Sequence, residues 1–253
     1  MVRKIEILGL ENFPIIKPGD DLAEIIVKVA KDNGIEIENG DIIVVSQKIV
    51  SKAESRIVDL SKIEPSEKAK IIAQISGKDP RFVELILRES EEVIKCCKGH
   101  VIVRTKHGIV CANAGVDRSN VAGSPNIVTL LPEDPDKSAD NIRRKIEEIT
   151  GKKVAVIITD TYGRPLRNGH INMAIGASGI KLFRDYRGKK DLFGYVLRVK
   201  RIALADEIAA AAELVMGNGD EGIPVAIIRG LNYERGFESA KELNMNEDRW
   251  LFK

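Results

Sequence analysis

The sequence predicts an α/β (α+β) fold, and three observations carry that expectation. Ile42 to Val45, Val154 to Ile158 and Ile223 to Ile228 are short unbroken apolar runs, the pattern of strands buried on both faces. Amphipathic stretches with helical spacing and capping residues alternate with them. Polar clusters follow the apolar runs, and open α/β sheets bind ligands beyond the carboxyl ends of their strands. We read residues 1–253 as one domain with two lobes, the second marked by a charged helical excursion over 64–95.

The composition narrows the function classes. A hydrophobic fraction of 43% and a charged fraction of 31% are ordinary for a soluble globular chain. The formal net charge of +2 gives no global electrostatic case for nucleic acid or for an anionic membrane. No apolar run approaches the roughly 20 residues needed to cross a bilayer. The opening MVRKIEILGL alternates like a strand and lacks the apolar core of a signal peptide. Cys96, Cys97 and Cys111 cannot all pair and show no zinc-site spacing, so reduced thiols in a cytoplasm are expected.

In chain order, Val2 to Leu8 reads as a strand and Leu10 to Pro18 as a loop. Asp21 then caps a helix whose inner face is Leu22, Ile25, Ile26, Val29 and Ala30, with Gly34 at its stop. After the strand Ile42 to Val45 comes Ser46-Gln47-Lys48-Ile49-Val50-Ser51-Lys52. Taken alone, Lys48 and Lys52 read as solvated lysines, although lysine also serves as a point charge for phosphate. Pro65 to Ile75 and Pro80 to Val93 read as helices with proline in the first turn, the second capped by Asp79. Val101 to Val103 and Ile109 to Cys111 form a hairpin around Lys106-His107-Gly108. A polar stretch from Asn113 to Asn120 follows, then the turn Leu130 to Asp136. The helix Ala139 to Thr150 buries Ile142, Ile146 and Ile149, ends at Gly151, and carries Arg143-Arg144-Lys145 on a solvated face. Small residues over Met173 to Ile180 allow close backbone approach. Val196 to Arg201 reads as a strand and Ala203 to Met216 as a helix turning Ile208, Ala211, Ala212 and Val215 inward. The last twenty residues, with Trp250 and Phe252, read as a peripheral helix or tail.

The chemistry is concentrated in four clusters: Ser46 to Lys52, Asn113 to Asn120, Asp160 to Arg167 and Gly217 to Glu221. Carboxylate, hydroxyl, amide and glycine suit a hard cation and phosphate oxygens. In VAVIITDTYGRPLRNG, Asp160 and Thr161 follow a buried strand, Gly163 reads as a turn, and Arg164 and Arg167 suit an anion. Two readings of Asp160 stand side by side: a metal ligand, or a turn-capping aspartate. His100, His107 and His170 are scattered and read as structural or exposed. There is no P-loop, no Rossmann glycine fingerprint, no Gly-x-Ser-x-Gly elbow and no kinase signature. The residues alone indicate a metal-dependent enzyme acting on a phosphorylated compound, and leave its reaction open.

Several blocks in one order add a resemblance over essentially the whole chain. FPIIKPGDDL, VVSQKIVSKAES, NAGVDRSN, ITDTYGRPLRNG, AIGASG, ADEIAAAAELVMG and GIPVAIIRG together resemble the coenzyme F420-0:L-glutamate ligase (F420-0:γ-glutamyl ligase) family. The resemblance implies a mixed α/β architecture assembled as an intertwined homodimer. It implies a GTP-dependent ligase that adds glutamate to F420-0 through an acyl phosphate, then a second glutamate through the γ-carboxyl. Two divalent ions, Mg²⁺ or Mn²⁺, and a K⁺ ion would organise the phosphates.

Carried onto this chain, the resemblance makes Asp117 and Asp160 the catalytic metal-binding aspartates, with Thr161 beside the second. Phe13, Pro14, Ile15, Ile16, Ser46, Gln47, Lys52 and Asn120 fall on nucleotide-binding segments. So do Met216, Gly217, Asn218, Gly219, Asp220, Glu221, Gly222 and Ile223. Some relatives carry an acid directly after Met-Gly, where this chain has Asn218. The further metal ligand is then Asn218, Asp220 or Glu221. A metal-dependent phosphohydrolase and a nucleotide-sensing module are the alternatives that the residue types themselves leave standing.

Overall fold

The computed structural model describes residues 2–121 and 123–251, so Phe252 lies outside the described residues. In chain order the elements are β1 (Glu6–Gly9), α1 (Leu22–Asp32), β2 (Ile42–Ser46), α2 (Gln47–Ala53), β3 (Ile57–Asp59), α3 (Glu67–Ser76) and α4 (Pro80–Arg88). Next come β4 (Ser90–Cys97), β5 (His100–Thr105), β6 (Val110–Ala112), β7 (Ile127–Thr129), α5 (Pro135–Thr150), β8 (Ala155–Arg164) and β9 (Arg167–Ser178). The chain continues through β10 (Phe183–Asp185), β11 (Arg201–Ala203), α6 (Leu204–Met216) and β12 (Val225–Arg229), with short 3-10 turns toward its end.

Five strands form the central sheet in the order β1-β12-β2-β8-β9. The β2–β8 pair is parallel and its neighbours are antiparallel, so the expected mixed sheet is present. Both faces are covered, which accounts for the unbroken apolar runs. Successive strand residues point to opposite sides. Ile43, Val45, Val156 and Ile158 therefore join a core with α1 and α5, while Ile42, Val44, Ala155 and Ile157 join one with α6. A third core gathers α3 and α4 against β5, with Ala114, Val116 and Val128.

Local chemistry sets the helix ends. Asp21 accepts a hydrogen bond from the Glu24 N–H at 3.1 Å, and Asp79 one from the Arg81 N–H at 2.9 Å. Gly151 closes α5 at φ +68°. Gly176 answers the small-residue stretch: a Cβ there would lie 2.4 Å from the Pro135 carbonyl, so α5 seats directly on β9. The sheet edge at β9 is also covered. Its N–H groups at Asn172, Ala174 and Ala177 donate to the carboxylates of Glu213, Asp206 and Asp136 at 2.9, 3.0 and 2.9 Å.

Several expected boundaries shift. The first strand is Glu6–Gly9, not Val2 to Leu8, and Val93 belongs to β4 because the preceding helix ends at Arg88. Of Val196 to Arg201 only Arg201 lies in a strand, β11; Val196 makes an isolated bridge to Lys190. Ile149 is 43% exposed, and Arg143 is buried rather than solvated. Its guanidinium is matched by Asp140 at 2.7 Å, Glu147 at 3.0 Å and Ser178 at 2.8 Å. Beyond Ile158 there is no turn at Gly163. The strand runs on to Arg164 and pairs with β9 as a projecting hairpin whose tip is Pro165-Leu166.

Candidate active site

β2 ends at Ser46, opposite Thr159, where the parallel β2–β8 pairing stops while β8 runs on. This is the carboxyl-end crevice where open α/β sheets bind ligands. From Ser46 the chain turns directly into α2, which directs Gln47 at Asp160 of β8, and Lys48 and Lys52 at the loop of Asp117 to Asn120. Gln47 is buried; its carbonyl accepts from the Ser51 hydroxyl at 2.9 Å, and its amide donates to Asp160 Oδ1 across 3.5 Å. Burial pushes the Asp160 carboxyl up to about 6, and the negative charge of Asp117 adds to the shift. Lys48, Gln47 and the Thr161 N–H act in the opposite direction.

Asp117 is held by its backbone, which exchanges hydrogen bonds with Thr129 at 3.0 and 2.9 Å. Its Oδ1 accepts from the Ser119 N–H at 2.8 Å and its Oδ2 from the Ser119 hydroxyl at 2.9 Å. Lys48 Nζ donates to the same Oδ2 at 2.6 Å, and to the Ser119 carbonyl and hydroxyl at 2.7 and 2.8 Å. Burial opposes ionisation of Asp117, but Lys48 and Ser119 together outweigh it and hold the carboxyl below its ordinary range. Lys52 donates to the Asn120 carbonyl at 2.7 Å, and burial, then the charge of Lys48, lowers its ammonium. Asn120, itself at φ +52°, donates to the Gly219 carbonyl at 2.8 Å and ties the two polar loops together.

Thr161 points away from Asp160, since neighbours on a strand alternate. Its hydroxyl donates to Asn172 Oδ1 at 2.8 Å and accepts from the Asn218 amide at 3.1 Å. Asn218 also reaches Glu213 at 3.3 Å. A second polar group, Thr161, Asn172, Glu213 and Asn218, thus lies across the strand from the two aspartates. Glu221 folds back on its own loop and accepts from the Gly219 N–H at 2.8 Å. It lies over Gly217, where a Cβ would come within 2.2 Å of its carboxyl carbon. Asp220 and Gly222 are exposed.

The outer expected residues are spread more widely. Phe13 packs at the edge of the first core, Pro14 and Ile15 are exposed, and Ile16 is buried. Met216 is buried in the core beside α6, and Ile223 packs toward Gly9. Arg164 lies four residues beyond Asp160, about 13 Å at the usual strand rise, and donates to the Asn168 carbonyl. The hairpin arginines therefore do not stand beside the aspartates. A partly open cavity of about 110 Å³ lined by Pro135, His107 and Lys241 contains none of the clustered residues.

Asn172 and Glu213 escaped the sequence reading, while Lys48 and Ser119 lay inside the expected clusters without a role of their own. Lys48 carried a usable signal, because it sits one helical turn before Lys52 directly after a buried strand. Its side chain is only 16% exposed, against the solvated reading. Among the described residues no three His, Cys, Asp or Glu side chains converge on a metal-sized point. Two carboxylates with hydroxyl and amide oxygens nearby still suit a hard cation that completes its shell with phosphate oxygens. Asp160 fits that role, being a carboxyl that a cation would hold ionised. Its neighbour Cys111 offers no balancing charge, its thiol being pushed up to about 12 by burial and by Asp160.

The family model described as F420-0:Gamma-glutamyl ligase matches residues 11–230, which include every cluster above. The chain belongs to the F420-0:gamma-glutamyl ligase family. A coenzyme F420:L-glutamate ligase of Methanothermobacter thermautotrophicus is 48% identical over 226 residues, 89% of each chain. One from Methanocaldococcus jannaschii is 46% identical over 253 residues, covering 99% of this chain and 98% of the relative. The Archaeoglobus fulgidus relative of the same name is 46% identical, covering 97% and 95%. The match to the F420-0:gamma-glutamyl ligase family thus takes in the central sheet from β2 onward and the β8–β9 hairpin.

Proposed function

We propose that this chain is a ligase of coenzyme F420 biosynthesis, joining L-glutamate to coenzyme F420-0 at the expense of GTP and then adding a second glutamate through the γ-carboxyl. The supporting observation is the meeting of Asp117 and Asp160 at the carboxyl ends of β2 and β8, in a chain of this family. In the first step a carboxylate oxygen of F420-0 attacks the γ-phosphorus of GTP; the bond to the β-phosphate oxygen breaks and GDP departs. The glutamate amine, having lost a proton, then attacks the acyl phosphate carbon. A C–N bond forms, the C–O bond to phosphorus breaks, and inorganic phosphate leaves with the electron pair.

The protein's own part in this chemistry is positioning and charge. Asp117 and Asp160 would hold a divalent cation, Mg²⁺ or Mn²⁺, on their side of β8; Thr161 and Asn218 on the other face, or Glu221 on its loop, would offer oxygens to a second, with K⁺ alongside. Such ions neutralise phosphate charge. Gln47 orients Asp160. Lys52 supplies positive charge toward phosphate, and Asn120 fixes the loop of Asp117 against that of Gly219. Phe13 to Ile16 and Met216 to Ile223 border the nucleotide. The substrates are small molecules and the setting is the cytoplasm. A homodimer fits the exposed apolar residues Leu166 on the hairpin and Leu192 and Phe193 after β10, which are 85%, 98% and 96% exposed.

Mass spectrometry of F420-0 incubated with the protein, GTP, Mn²⁺ and glutamate tests the reading. One or two glutamate increments that require GTP are expected. GDP release without any increment would replace the ligase with a phosphohydrolase, and no product of either kind would leave a nucleotide sensor.

A further inference from the structure

The Lys48 ammonium has three protons, and all three are engaged: by Asp117 Oδ2 at 2.6 Å, the Ser119 carbonyl at 2.7 Å and the Ser119 hydroxyl at 2.8 Å. It also acts electrostatically on Asp160, as Asp117 does. One fixed cation therefore serves two carboxylates and is sequestered from solvent, its side chain only 16% exposed. Lys52, one turn along the same helix, is bound to the Asn120 carbonyl instead.

We infer that Lys48 is a built-in counter-ion that occupies Oδ2 of Asp117 in the metal-free protein and would give up that oxygen when a divalent cation binds. This rests on the reading of Asp117 and Asp160 as metal ligands. The physical argument is competition. Oδ2 already accepts two short hydrogen bonds, from Lys48 and Ser119, and a cation approaching it displaces at least the ammonium. Lys48 thus stabilises the metal-free site and weakens metal binding by the same coupling, since linkage between two events at one site is reciprocal. A released ammonium stands at the start of α2, where it can meet phosphate oxygens as a point charge. Metal loading and nucleotide binding then favour one another through a single side chain.

The test measures Mn²⁺ binding by the loss of the free-ion paramagnetic resonance signal, and thermal midpoints with and without Mn²⁺, for the wild-type chain, Lys48→Met, Lys48→Gln and Asp117→Asn. Lys48→Gln keeps an amide within hydrogen-bonding reach and serves if methionine fails to fold at this half-buried position. Both Lys48 variants are expected to bind Mn²⁺ about tenfold more tightly than wild type. Their midpoints are expected to fall by several degrees without metal and to return toward the wild-type value in saturating Mn²⁺. Unchanged or weaker Mn²⁺ binding in both, or a midpoint deficit that persists in Mn²⁺, overturns the counter-ion role and leaves the metal site standing. Wild-type protein that binds no Mn²⁺, or Asp117→Asn binding it equally well, overturns the metal reading and the inference with it.

Discussion

Two charge clusters of similar make-up behave in opposite ways. Around Glu147, Arg143 lies at 3.0 Å and Lys153 and Arg235 each at 3.1 Å, while Asp140 takes the other side of Arg143. Burial works against the Glu147 carboxylate, but these cations overcome it and bring the carboxyl down to about 2. At the sheet end the balance is reversed. Lys48 and Ser119 hold Asp117 down, while burial, with the charge of Asp117 added, pushes Asp160 up to about 6 against the weaker pull of Lys48. A cluster with ample cations stitches α5 to its surroundings. The other leaves one buried carboxyl displaced upward, and strongly displaced carboxyls of that kind gather at functional sites.

Four expected outcomes break or sharpen this contrast. The largest concerns Asp160→Asn, which should lower GTP-dependent ligation by roughly 1,000-fold, about 4 kcal/mol in the barrier, in a steady-state assay of glutamate addition. Arg143→Met comes next. Removing one partner of a buried ion pair leaves the other uncompensated, so denaturant unfolding should show a loss of about 3 kcal/mol, while kcat is retained at temperatures where the variant is folded. Acid titration separates the clusters further. Glu147 has a depressed carboxyl, so its contribution is complete above its unfolded value near 4.5 and disappears as pH falls through about 2. An Arg143→Met chain should accordingly lose less stability than wild type between those pH values, by on the order of 1–2 kcal/mol.

The smallest effect has the opposite sign. Because the Asp160 carboxyl is raised, the unfolded chain ionises first as pH climbs from about 4 to about 6, and the metal-free fold loses stability across that window. Asp160→Asn should therefore stabilise the metal-free protein by roughly 1–2 kcal/mol above pH 6, with no gain below pH 4. Thermal melts in chelator across the two pH values would read it directly. A variant that destabilises at both would place Asp160 among the structural carboxylates instead.

The sequence was legible where one rule acted alone. Buried runs such as Ile42 to Val45 and Val154 to Ile158 marked the sheet, and Asp21, Asp79 and Gly151 marked helix ends because their chemistry is local. The continuation of β8 was not legible. Asp160 to Arg164 pairs with β9 and no longer with β2, and carries polar groups on both sides, so the alternation that signals a half-buried strand is missing. For the same reason Asp160 and Thr161, adjacent in sequence, read as a pair when the strand sends them to opposite faces. Arg143 looked like one of three solvated cations; its partners Asp140 and Glu147, three and four residues away on the same helix face, were the available sign of burial. Lys48 was weighed by residue type, and only tertiary structure shows that it faces Asp117.

The three carboxylates along β9 bear on assembly. A bare edge strand is a template onto which another chain can add a strand. Here Glu213, Asp206 and Asp136 already answer the N–H groups at Asn172, Ala174 and Ala177. Asp136 also receives the Ser239 hydroxyl at 2.6 Å, so the C-terminal segment is moored to the same seam. The sheet is insulated against growth on that side. A strand added to this sheet from outside would have to find another edge, because at these three positions the side chains of the same chain already fill the place of a neighbouring backbone.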